Sequence, residues 1–404
     1  MPNATASGKP VASGKPVASG KPVGVTFHPE TLHRLGHHGD NWCHTWAADD
    51  SLIASMDDGN WLAGPHEYNN HLYRLVGGPE AFERHDLPGY PQFIANEGGW
   101  FGYGICSLAG TLYSFVSKCP LNRWSGPFRG VKLLRSTDNG ASWARVAADG
   151  SERPLGPWDA ARYDVSPEEM FWLEPSPREA HGGVAYPFGS CAVVQRGRDG
   201  QLDDDGYVYI YSPEGATCER LLLARAPRAA LGVRAQWRFF AGWHEQEPLW
   251  SADLEARQPV YTFPAGSHLG AFGWYSWLPS VVYNAGLGLY LMANGGTYGG
   301  HGLSAAANDY YDRWMHTRSG SMGLWWAQRP WGPWHPFFYV DEWTVDSPDN
   351  RTYQPKLSPK WISADGRRMV LVWSDAMRNA AGRSHTVNYL WNQMAITIET
   401  EPAG

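Results

Sequence analysis

The segment 136–143 constrains the fold of this 404-residue chain more than any other feature. It has the spacing S-x-D-x-G-x-x-W, with Asp138, Gly140 and Trp143 at the defining positions. In a tight turn, the Asp138 carboxylate can accept backbone N–H groups, Gly140 can adopt a positive φ, and Trp143 can pack where the returning strand begins. Short apolar runs on both sides of the segment are typical of strands. The segment therefore predicts a β-hairpin.

This pattern is the Asp-box, and it resembles turns found in sialidases and other β-propeller enzymes that act on sugars. A shortened copy, Ser55–Trp61, is interpreted as a second turn of the same kind. In such propellers the box is a structural element rather than a catalytic one. The resemblance therefore implies an architecture and leaves the activity open.

Five modules of short strands and tight turns follow one another after residue 24, and helical periodicity is nearly absent. Repeated units of this kind predict an all-β fold, a β-propeller with four-stranded antiparallel blades around a central channel. The spacing of the modules leaves room for one or two blades without a clear signal. Five blades are visible in the sequence, and the family resemblance described below favours seven.

The two ends of the predicted propeller are expected to meet. The apolar run 394–398 has the pattern of a strand that pairs with 25–27, which would close the ring and remove open sheet edges. Residues 1–23 repeat the sequence Ser-Gly-Lys-Pro-Val-Ala and are predicted to be a disordered, low-complexity segment. Residues 24–404 are predicted to form a single catalytic propeller domain.

Composition excludes some classes of partner. The net charge of −7 without a basic stripe argues against nucleic acid. No run approaches the length of a membrane span, and the N-terminus has no apolar signal region. This leaves the location open: cytoplasmic as the chain stands, secreted or periplasmic if a signal was removed.

The 22 Trp and 20 Tyr residues exceed the needs of a core, so we expect some to be exposed platforms for a polysaccharide or oligosaccharide. We expect a monomer.

Histidines and acidic residues are concentrated near the start of the chain, where eight of the 15 histidines lie between residues 28 and 85. Segments 39–47, 57–61 and 111–113 resemble a group of β-propeller polysaccharide lyases, the rhamnose–glucuronate lyases that act on gum arabic. Segments 280–284 and 359–366 are similar to a neighbouring propeller family that includes arabinan-cleaving hydrolases. The likeness covers nearly the whole chain for the fold and the first 130 residues for the activity.

The lyase resemblance implies four catalytic residues, His44, His66, Tyr113 and Arg129. In β-elimination at a 4-linked uronic acid, Arg129 would offset the carboxylate charge and stabilise the developing enolate. His66 or Tyr113 would take the C5 proton, and Tyr113 or a histidine would protonate the leaving O4. Structural alternatives remain open: Tyr113 as an ordinary blade residue, His44 as a core histidine, and Arg129 as the partner of an aspartate.

Further residues are candidates for binding the sugar. They lie in the polar N-terminal cluster and in glycine-rich loops whose backbone can approach a ligand closely. The predicted substrate-binding residues are Asn41, Trp42, Trp61, His181, Tyr298 and His301. No cofactor is expected. The resemblance implies a structural Ca²⁺ at the propeller centre, although no metal-ligand spacing in the sequence requires one.

Two other functions remain possible on the same scaffold. A glycoside hydrolase would use paired carboxylates, for which the candidates are Asp40, Asp58, Glu97 and Glu179. A non-catalytic lectin would use the aromatic platforms alone. The lyase is the favoured hypothesis because of the histidine-rich segment and the match at Tyr113 and Arg129. An unsaturated uronate, an ordinary reducing sugar or no product would distinguish the three.

Overall fold

The protein consists almost entirely of antiparallel β-structure. The computed structural model describes residues 20–118, 130–173, 188–202, 205–214, 220–263, 278–295, 322–340, 343–346, 352–375 and 388–402. Helical structure in these ranges is confined to short 3-10 turns, at Ala160–Tyr163, Arg198–Gly200, Arg228–Ala230, Arg234–Gln236 and Leu254–Ala256. No helix within the described ranges is long and apolar enough to cross a membrane.

The described strands form five sheets, each of which is one blade. The first strand of the chain, β1 (Pro22–Leu35), belongs to the last blade. Blade 1 contains β2 (His38–Asp40), β3 (His44–Trp46), β4 (Leu52–Asn60), β5 (Tyr68–Gly78), β6 (Ala81–Asp86) and β7 (Phe93–Ile94). Blade 2 contains β8 (Trp100–Leu108), β9 (Thr111–Lys118), β10 (Gly130–Ser136), β11 (Ala144–Val146), β12 (Glu152–Pro154) and β13 (Trp172–Leu173).

The remaining blades follow in chain order. Blade 3 contains β14 (Ala192–Val193), β15 (Tyr207–Glu214), β16 (Arg220–Pro227), β17 (Arg238–His244), β18 (Glu247–Ser251) and β19 (Tyr261–Thr262). Blade 4 contains β20 (Ser280–Asn284), β21 (Leu289–Asn294), β22 (Met322–Ala327) and β23 (His335–Val340). Blade 5 contains β24 (Thr352–Ile362), β25 (Arg368–Asp375) and β26 (Trp391–Thr400), with β1 at its outer edge.

The blades form a closed ring. The inner strands contact one another in the order β3, β8, β14, β20, β24 and back to β3. Apolar clusters fill the spaces between neighbouring blades; Phe115, Trp172 and Leu222, for example, are fully buried between blades 2 and 3. Burial on both faces of each sheet explains the continuous apolar runs in strands such as β21. The antiparallel blades and the five sequence modules are therefore confirmed, although only blades 4 and 5 have the expected four strands and the described parts of blades 1 to 3 have six.

The expectation of seven blades is wrong. The long spacings between modules are used by extra strands and connections inside a blade, such as β12 and β13 in blade 2 and β18 and β19 in blade 3. In the described part of the chain, the contacts around the ring are completed by five inner strands. The propeller is five-bladed.

Ring closure occurs as predicted. Strand β1 pairs with β26 in antiparallel register, with Val25 opposite Ile398 and Phe27 opposite Ile396. The first strand of the chain thereby completes a sheet whose other strands come from the end of the chain, and the ring is held without a covalent link. Strand β1 begins at Pro22, so the predicted boundary at residue 23 falls just inside the sheet. Residues 1–19 lie outside the described residues.

The Asp-box has the predicted geometry. The Asp138 carboxylate accepts the backbone N–H of Ser142 at 2.9 Å and the hydroxyl of Ser136 at 2.8 Å. Gly140 has φ +90°, and Trp143 is buried. The shortened copy at Ser55–Trp61 is different, because most of it lies inside strand β4. The interpretation of that segment as a turn is wrong, and its acidic residues lie beside the propeller axis instead.

Candidate functional site

A small cavity lies on the propeller axis and is lined by all five blades. Each inner strand or its flanking loop contributes residues to the wall: Cys43 and His44, Tyr103 and Ile105, Ala192, Val193 and Gln195, Pro279, Ser280 and Val281, and Lys356 and Leu357. Because the five blades converge here, side chains that are distant in sequence become neighbours. Concave positions of this kind are where binding sites are usually built.

A carboxylate beside this axis, that of Asp57, organises the surrounding polar groups. Asp57 lies on β4 with 2% of its surface exposed. Its two oxygens accept the Asn41 amide at 2.9 Å, the Asn70 amide at 3.0 Å and the backbone N–H of Gly102 at 3.0 Å. Burial raises the pKa of Asp57 well above its ordinary value and the charge of Asp40 adds to this, whereas the hydrogen bonds from Asn41 and Gly102 act in the opposite direction. Asp57 thus joins blade 1 to blade 2.

Local sequence features make this close packing possible. A β-carbon at position 102 would collide with the Asn70 side chain, so only glycine lets β8 donate its N–H to Asp57. Asn70 is fixed in turn, because the Tyr90 hydroxyl donates to its amide oxygen at 2.6 Å. Asn41 has φ +52°, a conformation that asparagine tolerates better than most residues. The polar network is therefore rigid before any ligand arrives.

Two further carboxylates flank Asp57. Asp40 lies on β2 directly opposite Asp57 in the strand pairing, with 7% of its surface exposed. Asp58, with φ +50°, is partly buried and accepts the Asn69 amide at 3.1 Å. Burial raises the pKa of Asp58 to about 6, and the Asn69 hydrogen bond only partly offsets this. A carboxyl that holds its proton near neutral pH can act as a general acid.

A histidine and a lysine lie deeper on the axis. The Nδ1–H of His44 donates to the carbonyl of Trp42 at 2.7 Å, and its Nε2 is buried without a hydrogen-bond partner among the described atoms. Burial lowers the pKa of His44 to about 4, so the ring is neutral at physiological pH. Lys356 is 3% exposed, and its Nζ donates to the carbonyl of Leu278 at 2.7 Å. Burial lowers the pKa of Lys356, while Cys43, Asp40 and Asp57 act to raise it.

The residues of the predicted lyase site have different surroundings. His44 lines the cavity on the axis, whereas Tyr113 lies one strand further out, on β9, where it pairs with Cys106 on β8. Burial raises the pKa of Tyr113, and its side chain packs against the cluster between blades 2 and 3. His66 lies in the loop between β4 and β5, where its ring contacts that of Trp158.

Trp42 and Trp61, predicted to bind sugar, are fully buried. Their rings pack against each other with centroids 4.9 Å apart and both contact Trp391. A ring without an exposed face has no surface on which a sugar could stack, so in this structure the two residues are part of the core. Asn41, by contrast, is in the Asp57 network.

Several predicted residues fall outside the described residues: Arg129, His181, Tyr298, His301 and Glu179. Glu97 is described and lies at the rim, where its carboxylate accepts the Tyr163 hydroxyl at 3.0 Å. Within the described ranges, no group of three or more His, Cys, Asp or Glu residues is arranged to hold a metal ion. The structural Ca²⁺ remains a prediction.

Sequence reasoning did not find the roles of Asp57, Asn70 and Lys356. Asp57 was assigned to a turn, and Lys356 lies on β24 some 300 residues away from its neighbours on blade 1. A local signal did exist for Asp57, because Leu52–Met56 is an apolar run that continues into it as one strand.

Comparisons with known proteins do not assign the chain to a family. No protein-family model matches the sequence, and no curated protein does. Among solved structures, the catalytic domain of the Coprinopsis cinerea GH62 α-L-arabinofuranosidase covers 96% of this chain and 97% of its own, with 10% identity and a TM-score of 0.43. The GH43B protein of the Bacteroides ovatus xyloglucan PUL covers 90% of this chain and 53% of its own, with 12% identity and a TM-score of 0.44.

A third structure is that of the α-L-arabinofuranosidase PaAbf62A from Podospora anserina in complex with cellotriose. It covers 95% of this chain and 95% of its own, with 9% identity and a TM-score of 0.40. By their descriptions, the three neighbours are a GH62 α-L-arabinofuranosidase, a GH43 protein and a second α-L-arabinofuranosidase. Identities and TM-scores this low do not assign the chain to either family.

Proposed function

We propose that the protein is a glycoside hydrolase that uses Asp40 and Asp58 as its pair of carboxylates. The observation that carries this proposal is the grouping of three aspartates with different surroundings at one end of the axis. Asp57 is saturated by N–H donors and positions the site, whereas Asp58 has a pKa of about 6. Glycoside hydrolysis requires one carboxyl that gives a proton and one that acts as a base or nucleophile.

The roles of the three aspartates follow from the groups that surround each carboxyl. Asp58 would protonate the departing glycosidic oxygen, because burial keeps its proton available near neutral pH. Asp40 would act as base or nucleophile, since the ammonium of Lys356 lies close enough for each to influence the other's charge. Asp57 would be a positioning residue, because all three of its N–H donors keep it in the wall of the site.

The lyase hypothesis is less well supported. It requires the Tyr113 side chain to work beside His44, whereas Tyr113 packs against the apolar cluster between blades 2 and 3 and is not among the residues that line the cavity on the axis. Polysaccharide remains the substrate class of the proposal, with arabinan and arabinoxylan as the first polymers to test. The lectin hypothesis predicts binding of the same sugars without products.

The test is the release of reducing ends from these polymers by the wild-type protein and by two isosteric variants. Asp40→Asn and Asp58→Asn should each reduce kcat by about 10²–10⁴-fold, the usual contribution of general acid–base groups. Asp365→Asn, which changes an exposed carboxyl in the β24–β25 hairpin, serves as the matched control and should keep full activity. If either site variant retains normal turnover, or if the product is an unsaturated uronate, the proposal is wrong.

A further inference from the structure

An exposed tryptophan lies next to the proposed site. Trp158 has 57% of its surface exposed, an unusual state for so large an apolar side chain. It lies in the connection that follows β12 in blade 2, yet its ring contacts that of His66 in blade 1, with centroids 5.6 Å apart. The two residues therefore form a small aromatic surface across the boundary between the blades.

This surface is close to Asp58 along blade 1. The carbonyl of His66 accepts the Asn60 amide at 2.7 Å, and Asn60 is two residues, or about 7 Å, from Asp58 on the same strand. Tyr68, two residues after His66, pairs with Gly59, the residue next to Asp58. The aromatic surface and the carboxyl thus lie at the same end of β4.

The tryptophan is held rigidly. The N–H of Gln92 donates to the carbonyl of Pro157 at 2.9 Å, which fixes the chain just before Trp158. The side chain of Asp159, just after it, accepts the N–H of Ala161 at 2.9 Å. The guanidinium of Arg162, itself 9% exposed, lies 5.6 Å from the centroid of the Trp158 ring. Because the ring is already ordered, the Trp158 side chain loses little conformational entropy when a ligand stacks on it.

We infer that Trp158, with His66 at its edge, is a sugar-binding subsite that holds a saccharide unit next to the bond cleaved at Asp58. A pyranose or furanose ring presents C–H groups on one face and hydroxyls at its rim. A flat, exposed indole matches the C–H face, and the nearby imidazole of His66 suits the hydroxyls. The inference rests on the proposed function for the position of the cleaved bond and on the aromatic geometry for binding.

Binding can be measured without turnover in the Asp58→Asn background. The probes are arabino-oligosaccharides, xylo-oligosaccharides and glucuronate-containing oligosaccharides, each titrated by calorimetry and by tryptophan fluorescence. Trp158→Ala should weaken the binding of at least one probe by tenfold or more, and Trp158→Phe should recover part of the loss. Trp243→Ala is the matched control, because Trp243 is 40% exposed on blade 3 and contacts Phe240 instead of the site.

The outcomes separate this inference from the proposed function. If Trp158→Ala weakens binding while the wild-type protein hydrolyses none of the polymers, the subsite stands and the hydrolase proposal fails. If hydrolysis occurs but Trp158→Ala changes neither Kd nor KM, the subsite is refuted and the hydrolase proposal stands. The subsite would also be refuted if Trp158→Ala and Trp243→Ala weakened binding equally. It would be refuted too if no probe bound to the Asp58→Asn protein that keeps Trp158. Circular dichroism melts confirm that each variant is folded.

Discussion

At the scale of single residues, the described chain tolerates unfavourable electrostatics at the aspartates beside the axis. Asp57 and Asp58 have raised pKa values because both are taken out of water, and Asp40 adds its negative charge to Asp57. Exposed carboxyls elsewhere behave in the opposite way: hydrogen bonds from Ser142 lower the pKa of Asp138 in the Asp-box. Perturbed carboxyls grouped in a cleft are typical of a functional site.

The buried carboxylate of Asp58 should therefore lower the free energy of unfolding at neutral pH. Its pKa is about 6 in the folded protein against an ordinary value of 3.8, so the folded state binds the proton more tightly than the unfolded state. The penalty is small at pH 4, grows between pH 4 and pH 6, and levels off above pH 6 at about 2–3 kcal/mol. Asp58→Asn should thus be more stable than wild type at pH 7.5 and nearly equal to it at pH 4, because asparagine also tolerates the positive φ.

Denaturant unfolding at the two pH values measures this difference. Asp365→Asn provides the comparison, since hydrogen bonds from Ser363 lower the pKa of Asp365 and its removal should not stabilise the protein at pH 7.5. An Asp58→Asn variant that is less stable than wild type at pH 7.5 would show that the carboxylate is a structural ion rather than a strained functional group.

The sequence predicted some of these residues and could not predict others. Asp40, Asp58 and Asn41 were candidates in a segment dense in polar residues, and His44 was a candidate because of the resemblance to the lyases. Lys356 could not be linked to them, because the link depends on blades 5 and 1 meeting at the axis. Trp42 and Trp61 were predicted to bind sugar because composition alone does not tell a buried tryptophan from an exposed one.

At the scale of secondary-structure elements, prediction was more successful. Local alternation of apolar and turn residues placed strands in all five blades, and the Asp-box fixed the β10–β11 hairpin. Strand β16 was missed between β15 and β17, although Leu221–Leu223 is an apolar run. Local sequence patterns also could not predict the number of blades. That number depends on how many inner strands complete the ring and on how many residues each blade uses for its outer strands.

The closing strand is the element whose removal should matter most. Deleting residues 2–19 should leave Tm unchanged, whereas deleting residues 2–35 removes β1 from blade 5. That removal exposes the edge of β26 and takes away Phe27, whose ring lies 5.3 Å from Phe338. We expect Tm to fall by on the order of 5–10 °C or more, with aggregation through the open edge.

Differential scanning calorimetry of the two truncations, side by side, provides the measurement. A Tm loss of several degrees in the shorter truncation would mean that residues 2–19 contribute to the fold, against the low-complexity prediction. An unchanged Tm in the longer one would mean that β1 does not close the ring.

At the scale of the whole molecule, the five-bladed ring explains why a site forms at all. Aspartates from one blade, a glycine N–H from the next and a lysine from the last meet on one axis, and the connection after β12 carries Trp158 across to blade 1. Each blade is a structural unit, whereas the polar site belongs to the ring as a whole. A fold of this kind supports many activities, so the chemistry must be decided at the site.

The most direct test of the hydrolase proposal is to digest arabinan, arabinoxylan and a glucuronate-containing gum in ¹⁸O-water and to measure the masses of the products by mass spectrometry. Hydrolysis adds one solvent oxygen at the cleaved bond, and β-elimination adds none. We predict a cleavage product that carries one ¹⁸O, added from the solvent at the cleaved bond, made by the wild-type protein and lost in Asp40→Asn and Asp58→Asn. A dehydrated, unlabelled product with the absorbance of an unsaturated uronate, or labelled product from both variants at the wild-type rate, would contradict it.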